Sequence, residues 1–192
     1  MSPILTGVIA SGISGNLTPP DTGAMFPIQS IPVGPAGASS ISFTNIPSTY
    51  KHLQIRVFAR STRADVQEYM NVRLNSDSGA NYSYHYLEGA GSTPISGSAT
   101  SINQAYSSYI TGANANTSVF GMNIIDILDY ANTNKNKTFR FLGGFDNNGS
   151  GRIALMSDLW MNTNAVTSIT FTPSSGNFVE YSQFALYGIK GA

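Results

Sequence analysis

The sequence predicts an all-β fold, an antiparallel β-sandwich of the jelly-roll kind with about eight to ten strands and an extended N-terminal arm. Three observations predict it. From residue 39 onward apolar residues recur with period two, the spacing of a strand with one buried face. Gly, Asn and Ser turns interrupt that pattern at short intervals, and no stretch of ten or more residues carries a helical period. Residues 1–38 have a different composition, rich in proline and nearly free of charge.

That first stretch holds six of the nine prolines and six glycines, and Asp21 is its only charge. Proline withholds a backbone donor and glycine adds freedom, so residues 1–38 are not expected to form regular structure alone. Disordered tails are usually charged, and this one instead carries Ile4, Leu5, Val8, Ile9, Met25, Phe26 and Ile28. It therefore reads as an arm that lies against something: its own body, a neighbouring subunit or a larger scaffold. A flexible linker is the plainer alternative.

The body, residues 39–192, follows strand by strand. "SISFTNI" puts Ile41 and Phe43 on one face. "HLQIRVFA" puts Leu53, Ile55, Val57 and Ala59 on one face and Gln54, Arg56, Phe58 and Arg60 on the other. "YMNVRLN" aligns Met70, Val72 and Leu74. "NYSYHYLEG" and "QAYSSYITG" are tyrosine-rich strands, and "SVFGMNIIDILDY" is a long one with Gly121 as a candidate bulge. "KTFRFLGGFD" and "GRIALMSDLWM" flank "NNGS", where Asn-Gly between alternating runs signals a hairpin. "TSITFTPS" and "NFVEYSQFALYGI" flank "SG" and read as a second hairpin. A closed up-and-down barrel is the alternative architecture.

Composition excludes several functions. Only 10% of residues are charged, against ~25% in ordinary soluble domains. Ten acidic residues balance ten basic ones, so no net field attracts nucleic acid or anionic lipid. Arg56, Arg60 and Arg63 cluster around a strand, but single-strand binders carry a basic groove overall. The expectation is that Arg56 and Arg60 lie on an outer or subunit-facing surface, pairing with carboxylates or carbonyls of a neighbour. Arg63, beyond the strand, has Asp65 and Glu68 as nearby partners.

No cysteine is present, so disulfides and thiolate metal sites are excluded. The N-terminus lacks the charge and the apolar run of a secretory signal or membrane span, so no membrane partner is expected. No nucleophile stands in a recognisable motif, and the two histidines, His52 and His85, lack partners in sequence. A carboxylate pair could come from Asp126, Asp129, Asp146, Asp158 or Glu180, but nothing in the sequence brings two of them together. "DNNGSG" has oxygen ligands but no distal bidentate Glu, so it reads as a turn rather than a metal loop. No catalytic residue, metal or cofactor is expected. Tyr69, Tyr82, Tyr84, Tyr86, Tyr106 and Tyr109 gather within residues 69–109. They suit either a subunit interface or an aromatic platform for a glycan, and the interface reading puts Tyr82, Tyr84 and Tyr86 among the assembly residues.

"ISFTNIPSTYKHLQIRVFARSTRA", "VRLNSDSGANYSYHYLEG" and "ITFTPSSGNFVEYSQFALYGIKGA" resemble a family of small virion proteins of tailed bacteriophages, aquatic phages and cyanophages among them. The resemblance covers roughly residues 40–90 and 150–192. It implies a β-sandwich building block of the phage particle without enzymatic activity, and it carries no site motif. Length, the uncharged arm and the absence of a shaft repeat favour a capsid decoration (cement) protein on the capsid exterior. Its expected partners are the major capsid protein and further copies of itself, in a homotrimer. The alternative is a glycan-recognising, receptor-binding domain of a tail fibre or spike.

Overall fold

The computed structural model describes residues 24–191. Twelve strands form it: β1 (Met25–Pro32), β2 (Ile41–Phe43), β3 (His52–Ala59), β4 (Gln67–Leu74), β5 (Tyr82–Ala90), β6 (Thr93–Ile102), β7 (Ala105–Thr111), β8 (Gly121–Ile127), β9 (Lys137–Asp146), β10 (Gly151–Trp160), β11 (Ile169–Pro173) and β12 (Gln183–Ile189). They make two antiparallel sheets, one of eight strands in the order β1-β12-β3-β8-β9-β10-β5-β6, the other of four in the order β2-β11-β4-β7. The chain crosses repeatedly between the sheets, which gives a two-layer, broadly jelly-roll-like sandwich. It does not close into a barrel, because each sheet keeps two edge strands.

Alternation fixes the core as the sequence predicts. Leu53, Ile55, Val57 and Ala59 are buried, as are Met70, Val72 and Leu74 from the facing sheet. Between them lie Phe43, Phe139, Phe141, Phe171, Phe178 and Phe184, all fully buried. Burying each such ring contributes about 2–3 kcal/mol. The Asn-Gly hairpin forms between β9 and β10, with Asp146 opposite Gly151 and positive φ at Asn148 and Gly149. Asp146 Oδ1 accepts the Gly149 amide at 3.0 Å, so the acidic side chain closes the turn.

Four expectations need correction. Met25–Pro32, expected within an arm without regular structure of its own, is the edge strand β1, paired with β12 from Met25↔Ile189 to Pro32↔Gln183. An edge strand tolerates proline because one row of its amides needs no partner, and the register shift between Pro27 and Gln29 absorbs the missing donor. Residues 25–38 of the expected arm thus lie against this chain's own sandwich. Phe26 stacks on Tyr50 at 5.9 Å under Lys190, and Ile28 packs against the core, so both contact this chain's own body. Ile4, Leu5, Val8 and Ile9 lie outside the described residues.

The second predicted hairpin is absent: β11 belongs to the small sheet and β12 to the large one. Phe178, in the connection between them, drops into the core against Phe184 at 4.9 Å and pulls the chain across the sandwich. Gly121 is no bulge but a close approach, since a Cβ there would lie 2.5 Å from the Ile110 backbone.

Arg60 is the fourth correction. Its Nη1 donates to the carbonyls of Asn116 (2.7 Å) and Val119 (3.0 Å), and its Nη2 to those of Ala113 (2.9 Å) and Ala115 (3.0 Å). The carbonyls expected from a neighbouring subunit come from this chain's own β7–β8 loop. The rigid fork of guanidinium donors makes that possible. Arg56 is exposed, as expected, with its guanidinium 5.6 Å from the centre of the Tyr187 ring. Arg63 pairs with Asp65 and Glu68 as the sequence suggests.

Candidate functional site

The large sheet is twice as wide as the small one; β7, the edge strand of the small sheet, packs over β8, β9 and β10, and the β5-β6 end extends past it. The inner face of that overhang is a shelf. On β5 the side chains of Tyr82, Tyr84, Tyr86 and Glu88 share one face, since they stand two residues apart. Trp160, Asp158, Met156 and Ala154 of β10 stand directly opposite them in register. Tyr82 and Trp160 stack at 6.3 Å deep in the core, so the row begins inside the sandwich and emerges along the shelf.

Tyr82 thus cannot serve a subunit interface. It is fully buried, its hydroxyl accepts the Leu74 amide at 3.1 Å, and burial pushes its pKa up to about 12. Tyr84 and Tyr86 are partly buried and remain on the shelf.

The facing wall comes from β4 and β7. These strands pair with Tyr69 opposite Tyr109 and Asn71 opposite Tyr106, so β7 carries one extra residue. Tyr106 and Tyr109 are three positions apart and would point to opposite faces of a regular strand. The bulge turns both rings to the same hollow. Tyr69, Tyr84, Tyr86, Tyr106, Tyr109, Glu88 and Met156 enclose a cavity of about 160 Å³. Tyr84 meets Tyr106 edge-on at 5.6 Å and Tyr86 at 6.0 Å, and Tyr69 lies 4.6 Å from Tyr109. Gly97 of β6 sits beneath Tyr86, where any Cβ would come within 2.8 Å of the ring. That glycine lets the phenol lie flat against the sheet.

A buried polar network backs the rings. Tyr109 donates its hydroxyl proton to Glu88 Oε2 at 2.7 Å, and the Tyr69 hydroxyl lies 2.8 Å from that of Tyr109. With the Tyr109 proton committed to Glu88, Tyr69 is the donor of the second bond. Arg152 Nη1 donates to Glu88 Oε1 at 2.6 Å and to the Tyr109 hydroxyl at 3.1 Å, its guanidinium 5.0 Å from the Tyr109 ring centre. Burial, then the Tyr69 and Glu88 hydrogen bonds, hold the Tyr109 hydroxyl far above its ordinary pKa.

Asp158 lies deeper, 1% exposed, with Oδ2 accepting the Tyr106 amide at 3.2 Å and Oδ1 without a hydrogen-bond partner. Burial pushes its pKa up to about 8, against the opposing effect of that one amide. At neutral pH it is mostly protonated. Glu88 is neutralised by Arg152, so the hollow carries aromatic faces and protonated hydroxyls but no net charge.

Among the described residues no group of His, Asp and Glu is arranged to hold a metal ion. His52 accepts the Asp129 amide at 3.0 Å and lies away from the tyrosines, while His85 is exposed on the opposite face of β5. Among the carboxylates weighed for a catalytic pair, Asp158 alone stands behind this cavity. The tyrosine cluster was legible in the sequence. Glu88 and Arg152 were missed, although Glu88 continues the alternation of Tyr84 and Tyr86.

No protein-family model matches the chain, and no curated protein matches it. Among solved structures it is similar to the crystal structure of Caenorhabditis elegans galectin LEC-6, at 8% identity and a TM-score of 0.33, over 84% of this chain and 96% of that one.

Proposed function

We propose that this chain is a carbohydrate-recognition domain, and that its setting is the receptor-binding part of a phage tail fibre or spike. The observation that carries the proposal is the tyrosine-walled hollow, uncharged overall, beneath the overhang of the large sheet. Its 160 Å³ is close to the ~150 Å³ of a cavity that admits one six-membered ring. Aromatic faces take the apolar face of such a ring, and Tyr hydroxyls fix its polar edge. A quaternary ammonium, the other common guest of aromatic cages, gains most from a net negative cage. Here Arg152 cancels Glu88, which favours a neutral saccharide.

The phage setting rests on the sequence resemblance. The decoration-protein reading keeps one observation in its favour, an apolar band on the outer face of the large sheet that a capsid lattice could cover. The two readings separate in one experiment: the purified chain is applied to an array of bacterial surface glycans and to empty capsids. Glycan binding lost in Tyr86→Ala supports recognition. Saturable capsid binding, unaffected by Tyr86→Ala and with no glycan bound, supports decoration instead.

A further inference from the structure

The outer face of the eight-stranded sheet does not look like a solvated face. In an antiparallel sheet with one buried side, the other side is ordinarily polar. One row across this face, Gln54, Asp126, Arg140, Ser157 and His85, follows that rule. The two rows beside it are mostly apolar. Phe58, Met122 and Ile153 stand in one, and Leu142, Leu155 and Leu87 in the next, beyond Arg56 and Ile124 at the β3 end of that row; the six are 46–63% exposed. Register makes Leu142, Leu155 and Leu87 direct neighbours across β9, β10 and β5, and pairs Phe58 with Met122 across β3 and β8.

Six large side chains about half exposed leave on the order of 500 Å² of contiguous apolar surface, near the upper end of what a monomer shows. Two such faces in contact bury roughly 1,000 Å², the size at which a specific interface becomes tenable.

Relief points to the partner. Gly144 and Gly89 stand in the same row as Met122 and Ile153, and having no side chains they leave a hollow of about 560 Å³. Ile153, the most exposed of the six at 63%, projects at its rim. A knob beside a hole on one surface is self-complementary: under a two-fold axis each copy places its knob in the other's hole.

We propose that this face is a self-association surface and that its partner is a second copy of this chain, packed face to face across β8, β9, β10 and β5. The tyrosine hollow lies on the opposite face of the same sheet, so pairing leaves both hollows open and directed apart. Such a dimer is bivalent, and its avidity for a repeating ligand exceeds that of one site. The inference is independent of what the hollow binds.

The test is sedimentation of the full chain over a concentration series, beside the Leu142→Glu/Leu155→Glu variant. The wild type is expected to dimerise, and the variant to dissociate at least tenfold more readily, a change of about 1.4 kcal/mol or more. Circular dichroism checks that the variant folds. If it does not, a single Leu155→Cys substitution in this cysteine-free chain serves instead, since bismaleimide should cross-link it into a dimer. A monomeric wild type overturns the proposal. If its Leu155→Cys thiol resists labelling, the chain's own N-terminal residues cover the band. If it labels freely and is protected on empty capsids, the capsid covers it. A dimer indifferent to both glutamates also refutes this interface.

Discussion

Replacing Arg60 with alanine removes four hydrogen bonds to the carbonyls of Ala113, Ala115, Asn116 and Val119. Two of these, to Asn116 and Ala113, are exposed, and water replaces them at little cost. The bonds to Val119 and Ala115 are partly buried. Val119 keeps the Thr111 hydroxyl at 2.7 Å, whereas Ala115 is 6% exposed and keeps no such donor among the side chains around it. Hydrogen bonds from a charged donor are worth ~1.5–3 kcal/mol each, less where solvent reaches them, so the expected loss is about 2–4 kcal/mol. Urea unfolding reads it as a lower midpoint with an unchanged slope. Amides of the β7–β8 loop should exchange faster as well. Arg60→Lys should recover only part of the loss, because one ammonium cannot reproduce the fork. Arg56→Ala, which loses a 3.2 Å bond to Gln54 and an exposed contact with Tyr187, should cost under ~1 kcal/mol. A loss below about 0.5 kcal/mol for Arg60→Ala, or equal losses at the two arginines, would refute the assignment of Arg60 to the loop.

Other outcomes follow from the same geometry. Burial raises the Asp158 pKa to about 8, well above the ordinary carboxylate range, so the native state retains a proton that the unfolded chain releases. The stability that this proton contributes is therefore full below about pH 4, falls by up to ~1.4 kcal/mol per pH unit toward pH 8 and is absent above it, while Asp77 and Asp129, whose carboxyl pKa values are lowered, act in the opposite sense in acid. Asp158→Asn should remove that slope, which thermal melts between pH 5 and 8 will show. Tyr82→Phe leaves the Leu74 amide without its side-chain acceptor in the core and should cost about 1–2 kcal/mol by denaturant unfolding. Gly97→Val should lift the Tyr86 ring off the sheet, lowering ligand affinity at least tenfold while the melting temperature changes little.

The strands with one apolar face were legible because burial imposes period two on their sequence. β3, with Leu53, Ile55, Val57 and Ala59, is the clearest case. β6 was not, because Thr93–Ile102 packs small residues at an edge and carries no strong alternation. β1 was obscured by Pro27 and Pro32, which an edge strand accommodates and a central strand would not. The exchange of sheets between β11 and β12 depends on where Phe178 goes, and no local signal states that. At the site, the tyrosines announced themselves by number, but their convergence needs the β7 bulge, which a sequence does not display. Arg60 was misplaced for a related reason. Alternation puts its side chain on the outer face, and only the path of the loop at 112–120 brings four carbonyls to it.

Whether the tyrosine hollow takes a saccharide ring is read through its methionine. The chain has six methionines, so methyl labelling gives a simple spectrum with Met156 inside the hollow and Met122 on the outer face of the same sheet. On titration with a glycan that the protein captures, the Met156 methyl should shift and saturate while Met122 stays where it was, and Tyr86→Ala should abolish the response. A captured glycan that leaves Met156 unmoved binds elsewhere than the tyrosine hollow.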